Sequence, residues 1–208
     1  TGGASGIGME IAIDLVKKYK LKLVIIGRRE LVADKNNSWK KLAENTNHPH
    51  HSVLKTFSDI EENGSQISYF SVNISNKEEL RKVINEVSGS IGTIKGVIHA
   101  AGVPGKMRVK NYTIDGFKEA FEPKIHGSIN LADLIDTSLL DFFVMFSSHS
   151  SILGIARTTN YSAANMFKDN FAYTLRKRGV NAISINWPSW KDTGMWNRIS
   201  DKSENIDG

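Results

Sequence analysis

Apolar residues gather in five short runs along the chain: "LKLVIIG" (21–27), "ISYFSVNI" (67–74), "KGVIHAAG" (95–102), "LDFFVMFSS" (140–148) and "NAISINW" (181–187). Their length and β-branched or aromatic content predict strands. Between them, apolar positions recur at helical spacing in "GMEIAIDLVKKY", "NKEELRKVINEV", "GFKEAFEPKIHGSINLADLI" and "YSAANMFKDNFAYTLRKRG", which predicts amphipathic helices. Gly179, just past "LRKR", is placed to stop the last of these. Strand–helix alternation with continuously apolar strands implies a parallel sheet covered on both faces. The fold class is therefore α/β, a Rossmann-like doubly wound parallel sheet. The stretch 29–60 is the most polar and irregular, and its "HPHH" reads as an exposed loop, since no acidic or sulfur ligand accompanies it. No internal repeat or low-complexity segment stands out.

The two ends sharpen this picture. The chain opens on "TGGASGIG", a glycine turn of the kind that directly follows a strand, yet Thr1 is the first residue. The closing "RISDKSENIDG" is polar and reads as loop. The expectation is a sheet incomplete at both ends, with the first strand and the C-terminal elements absent. Residues 1–208 would then be one catalytic subdomain cut from a larger multidomain chain. The missing strand is central in a doubly wound sheet, so the piece alone is expected to be poorly stable.

Composition narrows the class. The 208 residues are 40% hydrophobic, enough for a sizeable core. There is no Cys, which excludes a disulfide framework and a thiolate metal site. No apolar run approaches a membrane span and no signal peptide opens the chain, so a cytoplasmic location is expected. The net charge of +5 and a pI near 9.3 suit a phosphorylated cofactor or an acidic partner. Its Lys residues are scattered or lie on helix faces such as "KKYKLK", without aromatic interleaving, which argues against nucleic acid.

Candidate chemistry starts in the first eight residues. Gly2, Gly6 and Gly8 form a Gly-x-x-x-Gly-x-Gly turn running into a helix, so a pyrophosphate can sit on backbone amides at the positive helix end. Thr1, Gly2, Gly3, Ser5, Gly6, Ile7 and Gly8 are the candidate contacts. Arg28 follows the first apolar run, where an acidic residue would bind a ribose 2′-hydroxyl and a basic one a 2′-phosphate. That favours NADPH over NADH. Ligands of open α/β sheets bind beyond the carboxyl ends of the strands. Asn73, Ile74, Ala100, Ala101, Gly102, Ser147–Ser148 and "WPSW" (187–190) fall at such ends, the layout of a single cleft. Tyr161 and Asn165 are four apart and share a helix face.

The glycine turn, a strand-end Ser148 and Tyr161 thirteen residues later together resemble the short-chain dehydrogenase/reductase family. Most members carry a Lys four residues after the Tyr; this chain has Asn165 there. The ketoreductase domains of modular polyketide synthases exchange these roles, taking the Lys from a "PK-x-x-G" segment and following the Tyr with "x-A-A-N". This sequence has "EPKIHG", with Lys124 lying 24 residues before Ser148, and "YSAAN". "TGGASGIG", "VIHAAGV", "LDFFVMFSS" and "INWPSWKDTGM" resemble ketoreductase segments in the same order, the last most like polyketide or hybrid polyketide–peptide assembly lines.

The resemblance implies a reaction: hydride from NADPH to the ketone carbon of a β-ketoacyl thioester borne on an acyl carrier protein. Tyr161 would be the general acid, Lys124 the cation that favours its phenolate, and Ser148 a hydrogen-bond donor to the carbonyl oxygen. Asn165 would hold the Lys and an ordered water. Implied partners are that carrier protein, an N-terminal structural subdomain of the ketoreductase, and other synthase domains. Asn73 stands where relatives carry an Asp against the adenine. "PGK" (104–106) stands in place of the "LDD" of one stereochemical class, and Leu153 in place of the Trp of the other. Two rival readings are a free-standing short-chain reductase of a soluble ketone and a non-reducing, cofactor-binding or epimerising module.

Overall fold

The structure is a computed structural model that describes residues 1–31, 38–105, 111 and 113–190. It falls into two compact units, Thr1–Val72 and Asn73–Gly208.

The first unit contains α1 (Gly6–Lys18), β1 (Lys22–Gly27), α2 (Trp39–Ala43), α3 (His51–Glu62) and β2 (Gln66–Ser71). β1 and β2 pair in parallel, from Lys22 against Gln66 to Gly27 against Ser71. α1 buries Met9, Ala12 and Val16, one stripe at helical spacing. These join Ile25, Leu54, Phe57, Ile60 and Ile67 in one core. Phe57 is wholly buried and Trp39 packs on it edge to face at 5.1 Å. Burial of a side chain that size contributes about 1.5–3 kcal/mol. α2 and α3 correct the reading of 29–60 as irregular. Leu54, Phe57 and Ile60, three apart, make a short apolar stripe that the surrounding polar residues obscure. "HPHH" therefore ends in the first turn of α3, with His48 and His50 partly buried and their rings 5.8 Å apart.

The second unit begins with α4 (Lys77–Glu86), whose N-terminus is capped by Asn76, the side chain accepting from Glu78 N and Glu79 N. A π-helical turn (Val87–Ile91) continues it to β3 (Gly96–His99). Next come α5 (Ile114–Phe121), a second π-helical turn (Glu122–His126) and α6 (Gly127–Leu134). β4 (Phe142–Ser148), α7 (Ser150–Leu153), α8 (Thr159–Lys177) and β5 (Ala182–Trp187) complete it. The strands run in the order β3-β4-β5, all parallel. α8 ends before Gly179, whose φ of +85° makes it the expected stop.

All five predicted strands are present, and the arrangement is α/β with parallel pairing throughout. The strands lie in two sheets, of two and three strands. At the chain's start Gly2 N donates to Ile26 O at 3.1 Å, so the glycine turn sets out from beside the end of β1. The helix predicted over 116–135 is interrupted, for a local reason. Pro123 has no N–H to complete an α-helical turn, and the π-turn absorbs the mismatch. The "KDTGM" part of the last motif, Lys106 and "RISDKSENIDG" lie outside the described residues.

Candidate active site

In the first unit the glycine turn leads directly into α1. Gly2 (φ +74°) and Gly6 (φ +58°) take left-handed backbone that residues with a Cβ rarely adopt. Gly6 opens a thirteen-residue helix with no acidic residue in its first turn, so its N-terminal amides carry an unopposed partial positive charge. This turn fits a dinucleotide pyrophosphate, which needs close backbone approach and donors rather than side chains. Arg29 Nη2 donates to Ala4 O at 3.0 Å and so braces the turn, while Arg28 is exposed just past β1. Tyr69 Oη donates to Arg29 O at 2.6 Å, holding the same corner.

In the second unit Asn73 closes its own turn: Ser75 N donates to its Oδ1 at 3.1 Å and Asn76 N to its carbonyl at 2.9 Å. Ile74 is buried and its carbonyl accepts from Asn130 Nδ2 at 2.9 Å. Ala100, Ala101 and Gly102 follow the end of β3.

Lys124, Asn165 and Tyr161 are brought together. Lys124 sits on the π-turn and is 2% exposed. Its Nζ donates to Asn165 Oδ1 at 2.8 Å and stands 4.7 Å from the centroid of the Tyr161 ring. Ammonium over an aromatic face is attractive, more so when both are dry. Burial pushes the Lys124 ammonium down to about 7, with Asp169 pulling it the other way. The π-turn explains the reach, because widening the helix by one residue turns Lys124 inward beneath α8. His99, at the end of β3 and wholly buried, donates to the Pro123 carbonyl and steadies the same turn. Burial, then the charges of Lys168 and Lys124, push His99 well below the usual imidazole range, so it stays neutral.

Ser148 is the last residue of β4 and nearly buried, with Ser150 N donating to its Oγ at 3.2 Å. Its surroundings hold residues that the sequence motifs did not single out. Asn186 Nδ2 donates to Ser151 Oγ at 2.8 Å and Asp169 Oδ2 at 3.0 Å, and approaches Ser148 O at 3.3 Å. Asp169 also accepts from Ser151 Oγ at 2.7 Å and Ser184 Oγ at 2.6 Å. Ser147 Oγ donates to Asn165 O at 3.2 Å, linking this network to the Lys124 cluster. Lys168 is wholly buried on α8. A signal for it did exist: Lys168 falls on the stripe formed by Ala164, Ala172 and Leu175, where a charge is costly unless it is used.

The glycine turn of the first unit and the Lys124–Asn165–Tyr161 cluster of the second are each features of one class, oxidoreductases that use a nicotinamide cofactor to interconvert ketone and alcohol. The family model for the KR domain matches residues 1–192. The chain is 31% identical over 196 residues to 6-methylsalicylic acid synthase of Aspergillus terreus, covering 94% of this chain and 11% of that protein. It is 34% identical over 203 residues to polyketide synthase PksL of Bacillus subtilis, covering 94% of this chain and 4% of that one. Among solved structures it superposes with TM-score 0.79 on an N-terminal ketoreductase from the macrolactin assembly line, at 29% identity over 95% of this chain and 37% of that one. A ketoreductase domain from the bacillaene assembly line also gives 0.79, at 28% identity over 94% and 44%. The chain belongs to the KR domain family, the ketoreductases of the short-chain dehydrogenase/reductase fold. It spans only a small part of the curated relatives it matches. Among the described residues no helix is long and apolar enough to cross a membrane. No group of three or more His, Asp or Glu among them is arranged to hold a metal.

Proposed function

We propose that residues 1–208 are the catalytic subdomain of a ketoreductase within a multidomain polyketide synthase, reducing a β-ketoacyl thioester on an acyl carrier protein to the β-hydroxyacyl thioester. The observation that carries this is the buried Lys124 ammonium, 2.8 Å from Asn165 Oδ1 and 4.7 Å from the centre of the Tyr161 ring. When bound, the nicotinamide supplies the hydride that adds to the ketone carbon. The chain's own residues supply the rest. Tyr161 gives its proton to the ketone oxygen as charge gathers there, a step worth about 10²–10⁴ in rate. Lys124 stabilises the negative charge left on the ring oxygen, and burial strengthens that attraction. Ser148 donates to the same ketone oxygen, and one donor of this kind is worth about 2.7–4 kcal/mol. Asn165 holds the ammonium in place.

The glycine turn and Arg28 would hold the cofactor, Arg28 selecting the 2′-phosphate of NADPH; Asn73, Ile74, Ala100, Ala101 and Gly102 would line its path. The excess of cationic side chains suits a carrier protein, a class of partner rich in acidic residues. An N-terminal structural subdomain and further synthase domains would complete the polypeptide, in keeping with the small share of each relative that this chain covers. A cytoplasmic location follows from that assignment. A free-standing reductase, or a module that binds cofactor without reducing, would each predict a different outcome in one assay.

In that assay the full-length polypeptide is incubated with NADPH and a β-ketoacyl thioester, free or carrier-bound, and the product is resolved by chiral chromatography. The expected result is one β-hydroxyacyl enantiomer, with reduction of the carrier-bound form weakening as salt rises. Tyr161→Phe is expected to lose at least about a hundredfold in kcat while still binding NADPH. Wild-type protein that binds NADPH and returns the ketone unreduced would overturn the proposal in favour of the non-reducing module.

A further inference from the structure

The second buried ammonium of this unit has no part in the mechanism above. Lys168 Nζ lies 3.3 Å from His99 O, 3.4 Å from Ala101 O and 3.2 Å from Phe146 O. These carbonyls belong to the end of β3, the segment just beyond it, and β4. Three acceptors around one nitrogen match the three donors of an ammonium; a neutral amine would offer only two. Tyr161, Asn165 and Lys168 occupy positions i, i+4 and i+7 of α8 and so share a face.

We propose that Lys168 is a positioning residue: its side-chain nitrogen ties the ends of β3 and β4 to the helix that carries Tyr161 and Asn165. The proposal rests on the reductase reading. The charged or titratable groups that face it are Lys124 from the π-turn, His99 from β3, and Asp169 from α8 itself; β4 presents the Phe146 carbonyl. Burial, then repulsion from Lys124, pushes the Lys168 ammonium well down, while Asp169 opposes that.

Three variants of the full-length polypeptide separate the roles. Lys168→Met removes donors and charge, Lys168→Gln keeps two donors without charge, and Lys168→Arg keeps the charge. For Met and Gln, kcat is expected to fall about tenfold or more with KM little changed, the pattern of lost transition-state positioning. Lys168→Arg, which keeps donors for the three carbonyls, is expected to bring kcat back towards wild type. A merely structural residue would lower stability without this split between kcat and KM and without rescue by Arg. If Lys168→Met does not fold, Lys168→Gln carries the same readout. Amides of residues 98–102 and 146–148 are also expected to exchange faster in both uncharged variants, a measurement that needs no activity. Wild-type protein unable to reduce the thioester would sink the reductase reading, yet leave this exchange test standing. A folded Met or Gln variant with kcat within about twofold of wild type and unchanged exchange would overturn the proposal.

Discussion

Replacing Lys124 by Met should make this protein more stable at mildly acidic pH while disabling it. Folding lowers the Lys124 ammonium from 10.5 to about 7, chiefly through burial. At 1.36 kcal/mol per unit, the buried charge costs about 5 kcal/mol wherever both folded and unfolded states hold the proton, that is, below pH 7. Between pH 7 and 10.5 the folded state has released the proton and the unfolded state has not. The cost therefore shrinks as pH rises and vanishes above the unfolded value. Met keeps most of the aliphatic stem but leaves Asn165 Oδ1 without its donor, a loss of about 1–3 kcal/mol. At pH 6 the variant should accordingly be more stable by about 2–4 kcal/mol, and by pH 9 the gap should close by about 3 kcal/mol. Relief of the repulsion with Lys168 acts in the same direction. Urea unfolding followed by tryptophan fluorescence at pH 6, 7, 8 and 9 measures this, with matched m-values showing that the unfolded state is unchanged. Parallel stability curves for the two proteins across that range would refute the reasoning. Loss of ketone reduction by at least about a hundredfold should accompany the gain in stability.

Two further variants test residues at the edges of the site. Arg28→Ala should raise the KM for NADPH by about tenfold or more and leave that for NADH little changed, reflecting a charged contact to a 2′-phosphate; equal effects in steady-state kinetics with the two cofactors would count against that contact. Gly105→Ala should lower kcat several-fold at little cost in NADPH affinity. A Cβ there would clash with Asn160 Oδ1 and come within 2.7 Å of Tyr161 Cβ, forcing the start of α8 to shift. Unaltered turnover in a folded Gly105→Ala protein would show that the loop yields instead.

The strands and helices were legible because their signals are local. The runs at 21–27, 67–74, 95–102, 140–148 and 181–187 became strands, since apolar β-rich stretches of that length bury well between helices. Tyr161 and Asn165 share a helix face by spacing alone, and Gly2 and Gly6 occupy left-handed backbone as a phosphate-binding turn demands. α3 was hidden, because its stripe of Leu54, Phe57 and Ile60 is only three residues deep amid polar neighbours. The family resemblance named Lys124 as a candidate, yet its distance from Tyr161 is a property of the folded chain. It comes from a π-turn at Pro123 and a contact spanning 41 residues to Asn165.

Periodicity settled what each segment becomes, since helix and strand preferences depend on neighbours within a turn or two. Which buried polar groups meet was decided by packing. Lys168 reaches a carbonyl 69 residues away, and Asn186 gathers Ser151 and Asp169 from 35 and 17 residues away. No local pattern encodes such pairings. A buried donor must find acceptors wherever the sheet and helices happen to bring them, because leaving it unpaired costs more than the contact returns.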